Sequence, residues 1–221
     1  MKRNGSPRSG SGGGAPEAER SIDINIDIDG DKHPRRIGRY EIEAVLGSGS
    51  MGVVFRATDT VLGRPVAIKT IREELVAGER AYKAYRRRFY REARIFGSLS
   101  HPNIVKLYDI GETDQRIPYL AMEFVRGTSL GDPEKRLTLD QSMWVLSQLA
   151  SGIDYAHGMN VLHRDIKPSN ILISDGDEAK LADFGIAKLL GTEFTRSQTL
   201  FGTPGFMSPE QVVGKKLTGK T

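Results

Sequence analysis

Apolar and polar positions alternate along Tyr40-Glu41-Ile42-Glu43-Ala44-Val45-Leu46, and a β-branched run, Val53-Val54-Phe55-Arg56-Ala57-Thr58, follows a glycine-rich break. A period of two predicts two antiparallel strands joined by that break, with a third strand from Pro65 to Ile71. From about Arg80 to Leu99 the period becomes helical, with Tyr82, Tyr85, Phe89, Ala93 and Phe96 on one face. The opposite face carries Arg86, Arg87, Arg88, Arg91 and Arg94, most simply a solvated surface and less simply a docking face for an acidic partner. Glu92, three residues beyond Phe89, is expected to face inward beside it. Pro102 stops the helix, and strands are expected at Val105 to Asp109 and Pro118 to Phe124. Gly131 and Pro133 make Ser129 to Arg136 a poor helix. Thr138-Leu139-Asp140-Gln141 reads as a capping box that opens a helix running to about His157, with Leu146, Leu149, Ile153 and Ala156 in the core and Gly158 ending it. Short strands are expected around Asn160 to Leu162, Ile171 to Ile173 and Lys180 to Ala182, the last two turning at Asp175-Gly176.

The first 36 residues break this pattern. Gly, Ser, Pro and charge dominate the first twenty, too little apolar surface to offset the entropy of ordering, so residues 1–36 read as a disordered leader. Within it Ile22, Ile24, Ile26 and Ile28 alternate with Asp23, Asn25, Asp27 and Asp29, a pattern able to form an edge strand. Asn25, Asp27, Asp29 and Gly30 resemble the start of a calcium loop, but Arg36 stands where the bidentate glutamate belongs. Composition adds mainly exclusions. The 221 residues carry a formal net charge of +4, too mild to imply nucleic-acid binding, and contain no cysteine, which excludes disulfides and thiolate zinc sites. No signal-peptide pattern and no apolar run of membrane-spanning length occurs in the sequence, which fits a cytoplasmic chain.

The candidate chemistry lies in His163-Arg164-Asp165-Ile166-Lys167-Pro168-Ser169-Asn170. Asp165 can orient a hydroxyl and accept its proton, Lys167 can neutralise charge on a moving phosphoryl group, and Asn170 can ligate magnesium. Three further stretches stand in order around it: Gly47-Ser48-Gly49-Ser50-Met51-Gly52, Val66-Ala67-Ile68-Lys69 and Asp183-Phe184-Gly185. A lone G-x-G-x-x-G is weak evidence, but here strands flank it on both sides, whereas a dinucleotide fingerprint requires a helix after the last glycine. Lys69 sits among apolar neighbours and needs a partner, which Glu92 can supply.

This ordered set resembles the protein kinase superfamily, over residues 37–221, and looks most like the eukaryotic-like Ser/Thr protein kinases of bacteria. The resemblance implies an α+β, two-lobed kinase fold. Residues 37–125 would form an N-terminal lobe with a five-stranded antiparallel sheet and one helix, and 126–221 an incomplete, mainly helical C-terminal lobe. It implies ATP held by Leu46, Gly47, Ser48, Gly49, Ser50, Gly52, Val54, Ala67 and Lys69, with Met122 as gatekeeper, the backbone of Glu123 and Val125 at the adenine edge, and Leu172 beneath. Lys69 and Glu92 would pair, Asp165 and Lys167 would act in catalysis, and Asn170 and Asp183 would hold Mg2+. Phe96, Leu107, His163 and Phe184 would stack between the lobes.

Thr195, Ser197 and Thr199 lie in the stretch where the family carries activating phosphates, with Arg164 as their guanidinium and Ser208-Pro209-Glu210 as a variant of A-P-E. Lys167 with Ser169 matches Ser/Thr rather than tyrosine kinases. The implied partners are ATP and proteins bearing Ser or Thr, with no nucleic acid. A nucleotide-binding pseudokinase or scaffold is the alternative, and a small-molecule kinase a third reading. The family's later helices have no counterpart before Thr221, so weak or absent transfer by this 221-residue chain alone is expected.

Overall fold

The computed structural model describes residues 24–28, 31–49, 52–71, 79–113, 115–184, 204–215 and 217–219. Strands β1 (Ile24–Ile28) and β2 (Asp31–Pro34) form an antiparallel hairpin. Residues 24–34 were expected in an unstructured leader. The Ile/Asp alternation finds its partner locally in β2, and the His33 ring meets Phe55 edge-on, with centroids 5.4 Å apart.

The main sheet has six strands in the order β3-β4-β5-β6-β8-β7. These are β3 (Arg36–Ile37), β4 (Tyr40–Gly49), β5 (Gly52–Asp59), β6 (Arg64–Ile71), β7 (Leu107–Glu112) and β8 (Pro118–Glu123). The sequence predicted five; the two-residue β3 is added because Ile37 is buried and its backbone pairs with Tyr40. On β4 the expected alternation holds at Tyr40 and Ile42, both buried, while Glu41 and Glu43 stay outside. One face of the sheet closes a core of Ile37, Tyr40, Ile42, Phe55, Ala57, Val66, Ile68, Tyr119 and Ala121.

Helix α1 (Glu79–Gly97) lays Tyr85, Phe89, Ala93 and Phe96 on a second, larger core, with Tyr82 half-buried beside them. Helix α2 (Leu139–Gly158) opens as the sequence predicted: Gln141 N–H donates to the Thr138 hydroxyl, and Thr138 N–H donates to the Gln141 side chain. Its buried stripe is Val145, Leu149, Gly152 and Ala156. Leu146, expected in the core, is exposed instead, because the stripe runs one residue earlier at this turn; Ile153 is half-buried. Leu139, Met143 and Trp144 share the exposed side. The left-handed residue after the helix is Asn160 (φ 59°) rather than Gly158, and this reversal leaves 160–162 outside any strand.

Strands β9 (Gly127–Ser129), β10 (Ile171–Ser174) and β11 (Ala179–Leu181) form a small antiparallel sheet in the order β11-β10-β9. The stretch between β9 and α2 is turns, as its Gly and Pro predicted. Three features tie this sheet to the segment after α1. Val105 N–H donates to Leu181 O at 3.0 Å, and Leu181 N–H to Asn103 O at 2.9 Å. Buried Asn103 gives its Nδ2 to Gln148 Oε1 and Ala179 O, both at 2.9 Å. Lys180 Nζ lies 3.0 Å from Glu123 Oε1 and donates to Pro102 O. The larger core therefore runs without a break from α1 through β7 and β8 to α2, β10 and β11. After the region bearing Pro204–Phe206, Ser208 caps the four-residue α3 (Pro209–Val212) with a capping box closed by Gln211.

Candidate active site

Between α2 and β10 the chain turns inward at His163, which is 3% exposed. Its ring accepts from Asp165 N–H at Nδ1 (3.2 Å), so the proton resides on Nε2, which donates to Ala182 O at 2.8 Å. One imidazole thus fixes both the backbone of Asp165 and the residue before Asp183. Arg164 and Asp183 hold left-handed backbones (φ 67° and 60°), a conformation that costs a non-glycine residue about 1–3 kcal/mol and persists only where its surroundings enforce it. Part of that enforcement is Gln211 Nε2, which donates to Arg164 O at 2.7 Å.

The short 3-10 turn Pro168–Asn170 returns Asn170 to Asp165. Its Nδ2 donates to Asp165 O (2.8 Å) and Asp165 Oδ2 (3.1 Å), which commits the amide nitrogen and directs the carbonyl oxygen elsewhere. Lys167 Nζ lies 3.1 Å from the same Asp165 Oδ2. Carboxylate, ammonium and carboxamide, separate in the sequence, form one cluster.

Lys69, on β6 opposite Val54 of β5 and Leu120 of β8, is largely buried and ion-paired with Asp183 Oδ1 at 2.7 Å. This differs from the expected partner. Glu92 instead pairs with Arg91 (3.0 Å) and faces a cavity of about 170 Å³ lined by Ile95, Phe96, Asn160, Val161, Leu162, Arg164 and Phe184. The Asp183 carboxylate compensates the buried ammonium just as well, so desolvation of Lys69 does not require Glu92. Phe184 is buried, stacked on Phe96 (5.3 Å between centroids) and against His163 (4.6 Å); Leu107 belongs to the same core, as expected.

Above this cluster, β4 and β5 pair to their ends at Gly49 and Gly52, with register shifts at Ile42/Ala44 and Val45/Gly47. A Cβ added at Gly47 or Gly49 would meet no atom of the described residues within 4 Å. None of the described residues requires glycine at these two positions, so the space they keep open suits a ligand brought close to the backbone. Met122 and Ala67 face each other across β8 and β6, and Met122 is buried. Glu123 N–H donates to Lys106 O, so Glu123 has only its carbonyl to offer an adenine edge. Leu172 lies on β10, paired with Ser129 and Lys180. Ser50, Gly185, Thr195, Ser197 and Thr199 lie outside the described residues.

Two contributors escaped the sequence reading. Nothing in the sequence pattern pointed from Gln211 to Arg164, and the Lys180–Glu123 pair joins residues too far apart in the chain for any pattern to link them.

Residues 40–221 match the family described as protein kinase domain. A probable serine/threonine-protein kinase of Streptomyces coelicolor is 38% identical over 200 residues, covering 86% of this chain and 29% of that protein. Serine/threonine-protein kinase PrkC of Bacillus subtilis is 40% identical over 188 residues, covering 83% of this chain and 28% of that protein. The chain therefore spans less than a third of the length of these relatives. Among solved structures, the PknI kinase domain of Mycobacterium tuberculosis superposes with a TM-score of 0.65 at 26% identity, over 83% of this chain and 67% of that one. The apo form of PpkA-294 does so with a TM-score of 0.69 at 30% identity, over 81% and 70%.

Proposed function

The chain belongs to the protein kinase family, whose members use ATP with a divalent cation, and from that premise we propose that it transfers the γ-phosphoryl group of ATP to Ser or Thr hydroxyls of proteins, itself included. The observation that carries this reading is the convergence of Asp165, Lys167 and Asn170 in one hydrogen-bonded cluster, with Lys69 and Asp183 ion-paired on the neighbouring elements.

The donor set fits magnesium. Among the described residues, Asn170 has spent its amide nitrogen on Asp165 and keeps its carbonyl oxygen, and Asp183 has spent Oδ1 on Lys69 and keeps Oδ2. These are hard oxygen ligands of the kind Mg2+ takes alongside phosphate oxygens. When bound, the ion neutralises charge on the phosphates. Lys69 orients the nucleotide's phosphates beside the paired ends of β4 and β5, where Gly47 and Gly49 allow close backbone approach. Asp165 accepts the proton of the incoming hydroxyl at a carboxylate oxygen. The hydroxyl oxygen forms its bond to phosphorus as the bond to the departing ADP oxygen breaks. Lys167 beside Asp165 offsets the charge that moves.

A nucleotide-binding scaffold is the second reading, favoured by one observation: Glu92 pairs with Arg91 rather than Lys69. Incubation of a version of the domain completed with the family's later helices, with Mg-ATP and a generic basic protein, separates the two. Phosphoserine and phosphothreonine in that protein support transfer; tight nucleotide binding with no phosphorylated product supports the scaffold. In the same incubation, phosphate is expected on the chain itself between Thr192 and Thr203, with Thr195, Ser197 and Thr199 as acceptors and Arg164 as their partner. Mass spectrometry locates it, and an unchanged rate when all three become Ala would remove that switch.

A further inference from the structure

Gln211 closes the capping box of α3, a task that Gln and Glu perform equally, since each offers an oxygen to the cap's backbone N–H. Its Oε1 accepts from Ser208 N–H at 3.0 Å, which leaves the half-buried side chain an N–H2 group that Glu lacks. That group donates to Arg164 O at 2.7 Å. Turning the amide over would set oxygen against oxygen at Arg164 and N–H2 against the Ser208 N–H, so this orientation is the one both neighbours require. The acceptor is the carbonyl of the peptide between Arg164 and Asp165, and the N–H of the same peptide donates to His163 Nδ1 at 3.2 Å. One peptide plane is thus held at both edges, by Gln211 from α3 and by the buried His163 ring.

That plane matters on both sides. Before it, Arg164 sits at φ 67°, a backbone that a non-glycine residue keeps only where its surroundings enforce it. After it comes the Cα of Asp165, so the tilt of the plane sets the direction in which the carboxylate leaves the chain toward Lys167 Nζ and Asn170 Nδ2, both 3.1 Å from Oδ2. A single anchor at the N–H lets the plane pivot about that bond; the second, at the carbonyl, removes the pivot. The short α3 is itself held in place. Val212 N–H donates to Ser208 O and Val213 N–H to Pro209 O, both at 3.1 Å, and Lys215 N–H donates to Glu210 O at 2.9 Å. A Cβ built on Gly219 would lie 2.8 Å from His157 Nδ1, so the chain beyond α3 runs against the last turn of α2, the helix that leads into His163. We propose that Gln211 is a positioning residue for phosphoryl transfer: by holding the Arg164–Asp165 peptide it keeps the Asp165 carboxylate aimed at the incoming hydroxyl, without touching nucleotide or hydroxyl itself. This role rests on the transfer reading given above. It acts on turnover and not on nucleotide binding, because Lys69, Asp183 and the glycines of β4 and β5 lie on other elements.

Two substitutions separate positioning from capping. Gln211→Glu keeps an oxygen for Ser208 N–H but sets a carboxylate oxygen against Arg164 O in place of the donor. Ser208→Ala removes the hydroxyl half of the cap and leaves the Gln211 amide able to reach both of its partners. In a version of the domain completed with the family's later helices, Gln211→Glu should slow single-turnover transfer from saturating Mg-ATP at least about tenfold, with ATP affinity and melting temperature unchanged. Ser208→Ala should lower the melting temperature and transfer at close to the unsubstituted rate. The second measurement is residue-resolved hydrogen exchange on the 221-residue chain without nucleotide, which does not depend on transfer. The Asp165 amide should exchange faster in Gln211→Glu and at the unsubstituted rate in Ser208→Ala. If the unsubstituted domain transfers nothing, the proposed function fails, and exchange still decides whether Gln211 holds this peptide. Unchanged transfer or unchanged exchange in Gln211→Glu overturns the proposal. So does equal loss in Ser208→Ala, or a loss in Gln211→Glu that saturating ATP restores.

Discussion

At the residue scale, the informative side chains are those whose conformation the fold does not need for itself. Among the described residues Gly47 and Gly49 have open space around them, whereas a methyl group at Gly127, whose φ is 154°, would sit 2.0 Å from Ile173 O. Two different effects of the same substitution follow. Gly47→Ala or Gly49→Ala should leave the melting temperature unchanged and weaken ATP binding, as calorimetry and a thermal melt would show together. Gly127→Ala should destabilise the fold by about 1–3 kcal/mol, the usual cost of overpacking, read from urea unfolding. A second residue-scale prediction concerns Asp183. Asp183→Ala removes a magnesium ligand and the partner of Lys69, and should abolish metal-dependent nucleotide binding; unaltered affinity in the presence of Mg2+ would refute that ligand assignment. The convergence of Asp165, Lys167 and Asn170 was legible because the three fall within six residues of one another. The pairing of Lys69 was not, since two carboxylates can compensate one ammonium and only the placement of α1 chooses between them.

Among the elements, periodicity located most strands and both long helices, and chemistry located their ends where a side chain does the capping. Thr138 and Gln141 are such a case, and Thr138→Ala should cost about 1 kcal/mol of stability. Periodicity misplaced Leu146 because neighbouring residues of a helix differ by only part of a turn, and partly buried stripes drift along its length. It also missed β3, which is only two residues long. The turn between β5 and β6 depends on Asp59, whose carboxylate accepts from Val61 N–H (3.1 Å) and Leu62 N–H (3.2 Å) and pairs with Arg39 (3.2 Å). Burial pushes this carboxyl up, but the two backbone donors and then the guanidinium outweigh it and hold its pKa below the ordinary carboxylate value. A depressed native value means that Asp59 contributes stability above the ordinary carboxylate range, and that this contribution is lost as pH falls through the native value. Denaturant midpoints measured from neutral pH down to about pH 3 should fall more steeply for the wild type than for Asp59→Asn. Parallel curves would remove Asp59 as a source of acid sensitivity.

For the whole molecule, one core joins α1, β7, β8, α2 and the small sheet, while a separate core is built from β3, β4, β5, β6 and β8, the residues of β8 alternating between the two. Among the described residues no helix is long and apolar enough to cross a membrane. Stability should be unevenly distributed across this plan. Ile68 is fully buried in a strand paired on both sides, whereas Ile153 is half-buried on a helix whose outer side exposes Leu139, Met143, Trp144 and Leu146. Hydrogen exchange should therefore show stronger protection near Ile68 than near Ile153. The central claim is that the Asp165 cluster transfers phosphate rather than merely holding a nucleotide. Its most direct test is single-turnover transfer from Mg-ATP to a protein Ser or Thr by a version of the domain completed with the family's later helices, compared between the unsubstituted protein and Asp165→Asn at matched nucleotide occupancy. Asp165→Asn should bind ATP nearly as well and transfer about 10²–10⁴ times more slowly, the range for loss of a positioned base; equal transfer rates would contradict the assignment of Asp165.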